Sequence, residues 1–369
     1  MILNRYEKLF AALQADRLDA VAINPGPSMV YLTGLNFHLM ERPVVAFFTA
    51  GGASAIVLPE LEMRKLEQAP APMDAYPYGD NPNSWEQAFR RAVSVLNLDG
   101  KLIGVEPEHL RVLELRFLEA AAPKAHFLSA DPILANLRLV KDEEEIAAIR
   151  KAVEIAQAAL TAILPKIKVG VSERELAADL SIALLQAGSD PGLGFSPIVA
   201  AGPNSANPHA VPTDRRLARG DLLVIDWGAA YQGYLSDLTR TFALDPVEPE
   251  LERIAEITIQ ANSAGRQGAR PGIPAGAVDR AARSIIEDGG YGQYFTHRVG
   301  HGLGMKEHEE PYMFAENQEL LLPGMVFTVE PGIYLPGRGG VRIEDDVVVI
   351  PGGAETLSSL DRGLMHISS

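Results

Sequence analysis

The chain has 369 residues, which is enough for two domains, and 47% of them are hydrophobic, which is enough to bury sizeable cores. Its formal net charge of −15 argues against nucleic acids and anionic membranes as partners, because both bind basic surfaces. Cysteine is absent, which excludes disulfides, thiolate nucleophiles and cysteine-bound zinc, so any metal must be bound by histidines and carboxylates.

The N-terminal segment mixes charged residues with apolar residues at helical spacing. It lacks the basic start and the uninterrupted apolar centre of a signal peptide, and no apolar run is long enough to span a membrane. We therefore expect a protein of the cytoplasm.

Residues 1–132 alternate helical and strand patterns, which is typical of an α/β domain. The sequence AVAI at 20–23 predicts a buried strand, because turn residues follow it directly. Two further strand patterns lie on either side of Gly51 and Gly52 and predict a hairpin. A helix is predicted at 107–122.

Residues 133–369 predict a second domain of the α+β class, in which helices are grouped with antiparallel hairpins. The segment 129–141 is expected to be a connector, and a long helix with acidic residues in its first turn follows it. Ser172 and Glu175 form a capping box, which predicts the start of the next helix.

The second domain contains a loose internal repeat of its element order. Both 150–245 and 255–350 begin with helices and end with a hairpin that carries two carboxylates. The helices of the second half are predicted near 250–268 and over 275–288.

Asp226 and Asp237 lie on consecutive strand patterns, with their midpoint between Tyr231 and Gln232. A tight turn there makes the two aspartates cross-strand partners, whose Cβ atoms are about 4.5–5.5 Å apart. Carboxylates that close repel each other unless one is protonated or a cation lies between them. In one such hairpin alone, a salt-bridged structural acid is an equally good interpretation.

Glu330 and Glu344 repeat this arrangement, with a midpoint at Gly337 in a loop rich in glycine and proline. Two hairpins of this kind in one domain favour a cation site over two unrelated structural acids.

His301 lies in the segment HRVGHGLGMKEHEEP. Gly300, Gly302 and Gly304 flank it, and glycines allow the backbone to approach a site closely. His308 is too far along the chain to form a short-spaced helical zinc pair with His301. We therefore assign His301 as a metal ligand and His308 as a catalytic hydrogen-bond donor.

The candidate ligands are four carboxylates and one imidazole, whose four negative charges match two divalent cations. An oxygen-rich site suits manganese or magnesium, and cobalt and zinc are also compatible. Two such ions activate a water for attack on a carbonyl, and the developing oxyanion needs hydrogen-bond donors. His209 and His308 are the candidate donors, and Arg342 shares a sheet face with Glu344 and is expected to hold a carboxylate ligand in place.

Six segments together resemble the pita-bread metallopeptidases, in the branch of Xaa-Pro dipeptidase (prolidase) and aminopeptidase P. The segments are NPGPSMVYLTG, FSPIVAAGPNSANPH, DWGAAYQGYLSDLTRTF, GHGLGMKEH, EPG and GVRIEDD. Their order covers nearly the whole chain. The resemblance implies a small N-terminal α/β domain of the creatinase type, followed by a pita-bread catalytic domain.

The resemblance also implies roles for the metal-binding residues. Asp226 chelates the first ion, His301 and Glu330 hold the second, and Asp237 and Glu344 bridge the two. Glu330 additionally acts as the proton shuttle for the attacking water.

On the substrate side, the resemblance implies that His209 and His308 bind substrate and stabilise the tetrahedral intermediate. Phe195 and Tyr312 are further substrate-binding candidates. Family members are commonly homodimers whose N-terminal domain closes over the partner's active site. Phe37 and His38 are candidates for contact with the partner's active site, and an ordinary loop is an equally good interpretation of this segment.

Two positions depart from the prolidase pattern. Many prolidases have an aliphatic residue where this chain has Glu307, and an arginine where it has Tyr312. Tyrosine cannot supply a charge for the free carboxylate of a dipeptide, so another cation such as Arg338 is needed for strict dipeptidase activity. Glu307 is expected either to place a negative charge in the substrate cleft or to be a solvated surface acid.

The leading hypothesis is an exopeptidase that cuts after the N-terminal residue of short peptides and favours Xaa-Pro bonds. An aminopeptidase P-like enzyme, or a broader aminopeptidase acting on longer peptides, is the alternative within the class. Methionine aminopeptidase leaves residues 1–132 unexplained. A metal-free amidinohydrolase or a non-enzymatic binding protein on the same fold does not require the five ligands.

Overall fold

The computed structural model describes residues 2–367. The chain forms two compact units, residues 1–138 and residues 139–369. The boundary at 132/133 expected from the sequence lies inside a helix, Asp131–Leu139. The boundary between the two units lies within the predicted connector at 129–141, most of which is helical.

The first unit is a six-stranded mixed sheet with helices. Its helices are α1 (Ile2–Ala15), α2 (Pro27–Thr33), α3 (Met63–Leu66), α4 (Trp85–Val95), α5 (Val112–Ala121) and α6 (Asp131–Leu139). Its strands are β1 (Ala20–Ile23), β2 (Val45–Thr49), β3 (Ser54–Pro59), β4 (Asp74–Tyr78), β5 (Leu102–Val105) and β6 (His126–Ser129). The strand order is β4-β3-β2-β1-β5-β6.

Short apolar runs bounded by turn residues explain the central strands of this unit. The strand predicted at AVAI is β1, which is buried throughout and pairs antiparallel to β2 and parallel to β5. The hairpin predicted at Gly51-Gly52 joins β2 to β3. Trp85 and Phe89 of α4 pack with Leu118 of α5 in one buried cluster with sheet residues. The helix predicted at 107–122 is shorter, because α5 begins only at Val112.

The second unit contains helices, hairpins and small sheets. Its helices are α7 (Glu143–Ile163), α8 (Glu173–Gln186), α9 (Pro249–Gly268) and α10 (Ala275–Asp288). Its strands are β7 (Ile198–Ala201), β8 (Leu222–Trp227), β9 (Ala230–Tyr231), β10 (Tyr234–Leu235), β11 (Leu238–Leu244), β12 (Val326–Val329), β13 (Gly332–Leu335), β14 (Gly339–Arg342), β15 (Asp345–Ile350), β16 (Gly353–Thr356) and β17 (Met365–Ile367).

The loose internal repeat seen in the sequence corresponds to two separate hydrophobic cores. In the first, α7 and α8 pack on β7, β8 and β11. In the second, α9 and α10 pack on the strands from β12 to β15. The capping box at Ser172 and Glu175 is present at the start of α8. Each core thus uses a helix pair to support a hairpin that bears acids.

Across residues 2–367, none of the helices combines the length and the apolar character needed to cross a membrane.

Candidate active site

Two of the candidate acids come from the hairpin of β8 and β11. Thr239 lies opposite Asp226, so Asp226 and Asp237 are diagonal neighbours, and the prediction that they face each other directly is wrong. The cause is the turn, where Gln232 and Gly233 both have positive φ (52° and 79°), as a two-residue hairpin turn requires. The residue opposite Asp226 is thus two positions along the strand from Asp237. Because strand side chains alternate with a period of two, both carboxylates stay on one face of the sheet.

The other two acids lie where a longer hairpin is interrupted. β12 pairs with β15, and β13 pairs with β14, in one continuous register. This register places Glu330 opposite Glu344 in the gap between the paired segments, which confirms the pairing centred on Gly337. Thr239 links the two hairpins, because its Oγ1 donates a hydrogen bond of 2.6 Å to Oε2 of Glu344.

His301 reaches the acids through a segment packed very closely against neighbouring backbone. A Cβ atom at Gly300 would lie 1.9 Å from the carbonyl oxygen of Thr328, and one at Gly302 would lie 2.1 Å from that of Glu310. Only glycine fits at either position. The ring Nδ1 of His301 donates to the carbonyl of Gly302 at 3.0 Å, which leaves Nε2 as the free lone pair. Nε2 lies 3.4 Å from Oε1 of Glu330.

Arg342 holds Asp226 in position. Its Nη2 donates to Oδ2 of Asp226 at 2.5 Å, and its Nε donates to Oγ1 of Thr239 at 3.1 Å. Its Nη1 donates to the hydroxyl of Tyr334 and to the carbonyl of Pro208, each at 3.1 Å. The guanidinium therefore orients Asp226 and ties it to the loop that precedes His209.

The five candidate ligands converge in one buried cavity. Ligand atoms of Asp237, His301 and Glu344 all lie within 4.8 Å of one another, as a shared metal ion requires. Asp226 and Glu330 line the same cavity. The structure therefore brings together all five residues that the sequence selected.

Burial dominates the electrostatics of these residues. Burial, and after it the charges of neighbouring acids, raises the pKa of Asp237 and of Glu344 well above the usual carboxyl range. Burial also raises the pKa of Glu330 to about 7, and it raises the pKa of Asp226 despite the charge of Arg342. Burial, with His308 nearby, lowers the pKa of His301 to about 3.

These residues fit divalent metal ions. The acids are crowded in a buried space with one neutral imidazole, an arrangement that a divalent cation stabilises. Within residues 2–367, the buried Oδ1 of Asp226 accepts no hydrogen bond, which leaves its lone pairs available to a cation. Carboxylate oxygens with one imidazole nitrogen are a ligand set for hard or borderline divalent ions.

The cavity continues from the acids toward the candidate substrate-binding residues and has a volume of about 500 Å³. Its wall combines the five acidic and imidazole ligands with aromatic, basic and apolar side chains. Besides those ligands, it is lined by Phe195, Ile198, Pro208, His209, His297, Arg298, Glu307, His308, Phe314 and Arg342. This size suits a small peptide.

His209 lies on an exposed loop that a buried acid organises. Glu173, at the start of α8, accepts hydrogen bonds from the backbone N–H groups of Ala201 and Thr213 and from the side chain of Asn204. It also accepts a 2.6 Å bond from the hydroxyl of Thr213. These bonds fix both ends of the loop that carries His209 to the cavity.

The second histidine lies beside the first. The rings of His301 and His308 pack with their centroids 4.1 Å apart. Glu307 also lines the cavity, and burial, followed by the charge of Asp226, raises its pKa. Its place in the cavity wall agrees better with an acid in the substrate cleft than with a solvated surface acid. Tyr312 does not line the cavity but supports Arg298, whose guanidinium carbon lies 4.3 Å from the centre of its ring.

Sequence reasoning gave no role to two residues that line the cavity, His297 and Arg298. The ring of His297 is held between the carbonyl of Arg298 at 2.7 Å and the hydroxyl of Tyr334 at 2.9 Å. Burial, followed by the charge of Arg342, lowers the pKa of His297 to about 4. The sequence feature that could have identified these two residues is the segment HRVGH, which places them just before His301.

Three other candidates lie elsewhere. Arg338 is paired with Glu248 at 2.6 Å and also with Glu250, and it does not line the cavity. Within the first unit, Phe37 is buried, with the ammonium of Lys65 4.9 Å from the centre of its ring. His38, the other residue of the candidate loop, is exposed.

Comparison with known proteins agrees with this geometry. Residues 147–351 match metallopeptidase family M24, and residues 5–140 match the creatinase/prolidase N-terminal domain. The chain belongs to metallopeptidase family M24. Its architecture is therefore a creatinase-type N-terminal domain followed by a pita-bread catalytic domain, and its activity is that of a hydrolase dependent on divalent metal.

Similar M24 peptidases match over nearly their full length. The Xaa-Pro dipeptidase of Pyrococcus horikoshii is 35% identical over 367 residues, which are 98% of each chain. The crystal structure of a prolidase from Thermococcus sibiricus has a TM-score of 0.95 and 35% identity, covering 100% of this chain and 99% of that one. The structure of a dipeptidase from P. horikoshii has a TM-score of 0.93 and 37% identity, covering 98% and 100%.

Proposed function

We propose that this M24 peptidase is an Xaa-Pro dipeptidase, which hydrolyses the bond after the N-terminal residue of short peptides that have proline in second position. The convergence of four acids and one histidine in a single buried cavity carries the proposal. Relatives that bear the names Xaa-Pro dipeptidase and prolidase over nearly the whole chain support the substrate class.

In this proposal Asp226, Asp237, His301, Glu330 and Glu344 would hold two divalent ions. Manganese is the favoured metal because the donor set is rich in oxygen, and cobalt and zinc are compatible with it.

Bound divalent ions supply Lewis acidity and a nucleophilic water near neutral pH. Glu330 accepts a proton from the attacking water and returns it to the leaving amine, as a general base and then a general acid. His209 and His308 donate hydrogen bonds to the carbonyl oxygen of the substrate as negative charge develops on it. Arg342 favours the ionised form of Asp226 and orients this carboxylate.

A second candidate is an aminopeptidase P-like or broader aminopeptidase that acts on longer peptides. Tyr312 supplies no charge for a dipeptide carboxylate, and the chain is also similar to the X-Pro aminopeptidase of Thermotoga maritima, at 29% identity and a TM-score of 0.86. A metal-free amidinohydrolase and a non-enzymatic binding protein are disfavoured, because neither accounts for the complete set of five candidate ligands.

The deciding experiment measures hydrolysis of Xaa-Pro, Xaa-Pro-Yaa and Xaa-Ala-Yaa by protein loaded with Mn²⁺ or Co²⁺. We expect Xaa-Pro to be the best substrate. Equal or faster cleavage of the tripeptides favours the aminopeptidase, and no hydrolysis with either metal refutes the peptidase proposal. Protein purified without chelator should also contain divalent metal.

A homodimer and a location in the cytoplasm stay predictions. Gel filtration with light scattering tests the first, and cell fractionation of the natural source tests the second.

A further inference from the structure

Arg298 places an uncommitted positive charge in the substrate cavity. Its side chain is half-buried and lines the cavity, and no acid within residues 2–367 forms an ion pair with it. A half-buried guanidinium without an acid partner keeps N–H donors available to a ligand in the cavity. Arg298 therefore differs from most of the arginines around the cavity.

The neighbouring arginines are all occupied. Arg342 is bound to Asp226, and Arg338 is bound to Glu248 and Glu250. Arg283 pairs with Asp279, which is itself buried. Of the two cations that line the cavity among the described residues, Arg298 is the one whose N–H groups lack a carboxylate.

The guanidinium of Arg298 lies over the ring of Tyr312. Its carbon is 4.3 Å from the ring centre, within the range of a cation–π contact. Such a contact holds the guanidinium in place while N–H donors stay available, in the fork geometry that matches a carboxylate. Tyr312, which stands where many prolidases have an arginine, thus supports a different arginine, Arg298.

The location of Arg298 suits the second residue of a substrate. In a dipeptide the free carboxylate is one residue beyond the scissile bond, about 3.5 Å along an extended chain. A cation that binds it must therefore lie close to the histidines that face the scissile carbonyl. Arg298 meets this condition, since it lines the same cavity as His209 and His308.

We propose that Arg298, stacked on Tyr312, binds the free C-terminal carboxylate of the dipeptide and so determines the preference for dipeptides over longer peptides. The inference rests on the proposed peptidase function and names a specificity determinant within it.

The test compares kcat/KM for Ala-Pro with that for Ala-Pro amide, which has the same scissile bond but no terminal carboxylate. We expect the parent to prefer the acid at least tenfold. Arg298→Ala should lose about ten- to a hundredfold on the acid, chiefly through KM, and less than about twofold on the amide. Arg298→Lys should retain part of the preference, because it keeps the charge without the fork.

Matched variants separate this role from a structural one. Arg338→Ala removes an exposed arginine outside the cavity and should leave the ratio of acid to amide unchanged. Tyr312→Phe keeps the ring and should also leave it unchanged, whereas Tyr312→Leu removes the stack and should lower it. Far-UV circular dichroism and thermal unfolding check that each variant is folded, and Arg298→Lys serves if the alanine variant is not.

The outcomes are distinct. If the parent cleaves Ala-Pro but Arg298→Ala keeps the same ratio, or loses both activities equally, the carboxylate role is wrong and the peptidase proposal stands. A parent that cleaves acid and amide equally well also overturns the inference. If the parent cleaves neither substrate with any metal, the proposed function itself is wrong.

Discussion

Arg342 donates through Nη2 to Oδ2 of Asp226 at 2.5 Å, while its Nη1 donates to the carbonyl of Pro208. One guanidinium thus couples a candidate metal ligand to the loop that carries a candidate substrate-binding histidine. Both partners are buried, so the interaction is shielded from solvent. A small displacement of Arg342 therefore disturbs metal binding and substrate binding together.

Arg342→Lys should lower kcat/KM and metal affinity about ten- to a hundredfold, because lysine keeps the charge but cannot bind four acceptors in one plane. Kinetics with added Mn²⁺ and metal analysis after dialysis measure the two effects. Arg150→Lys is the control, because Arg150 makes a bidentate pair with Glu355 far from the acids. Equal losses in both variants would contradict a specific role for Arg342.

Asp237→Ala should abolish hydrolysis while the protein stays folded, because a ligand at the centre of the cluster is lost. Metal-free Asp237→Ala should unfold at a higher temperature than the metal-free parent, since one buried acid fewer relieves repulsion. Metal content, turnover and thermal unfolding measure these effects. Asp288→Ala alters an exposed acid and should behave like the parent. Turnover at the parent rate in Asp237→Ala would remove Asp237 from the metal site.

Metal removal should make stability depend on pH. Burial raises the pKa of Glu330 from an ordinary 4.5 to about 7 and raises the pKa of Asp237 and of Glu344 well above the usual range, so these acids bind more protons in the folded metal-free protein than in the unfolded chain. His297 and His301 act in the opposite direction, because burial lowers their pKa to about 4 and about 3. We expect the three acids to outweigh these two imidazoles, so that the free energy of unfolding falls as the pH rises from about 5 to about 7. Bound metal replaces those protons and should remove this slope. Urea unfolding at several pH values, with and without EDTA, tests this, and a flat metal-free profile contradicts it.

Gly300→Ala should strongly lower both stability and metal affinity. Its Cβ would lie 1.9 Å from the carbonyl oxygen of Thr328, so the backbone before His301 must move. The cost is expected in the range of other overpacked sites, about 1–3 kcal/mol or more. Gly192→Ala is the control, because a Cβ there meets no atom within 4 Å. Urea denaturation and metal titration of both variants measure the difference.

The sequence was sufficient to select the acids but not to place every one of them. The midpoint rule worked for Glu330 and Glu344, because they do lie opposite each other about Gly337. It failed for Asp226 and Asp237, because it assumed direct opposition where the acids are diagonal neighbours. Carboxylates that share a cation need only a common face, and strand alternation already supplies that.

The cation of the substrate pocket was harder to predict. Arg338 is the cation that the sequence suggests for the dipeptide carboxylate, because it lies in a glycine-rich loop near the acids. In the structure it pairs with Glu248 and Glu250 at the start of α9. Those contacts span about ninety positions and leave no local signature. Arg298 could be recognised only once its stacking on Tyr312 was seen.

The bridge from Thr239 to Glu344 joins positions 105 residues apart. Closing so long a loop is slower and costs more chain entropy than forming either hairpin alone. Each helix pair can therefore fold onto its own hairpin before the two halves meet. The two pairs of acids come together only at that last step, so the complete set of metal ligands exists in the finished protein but not in its half-folded precursors.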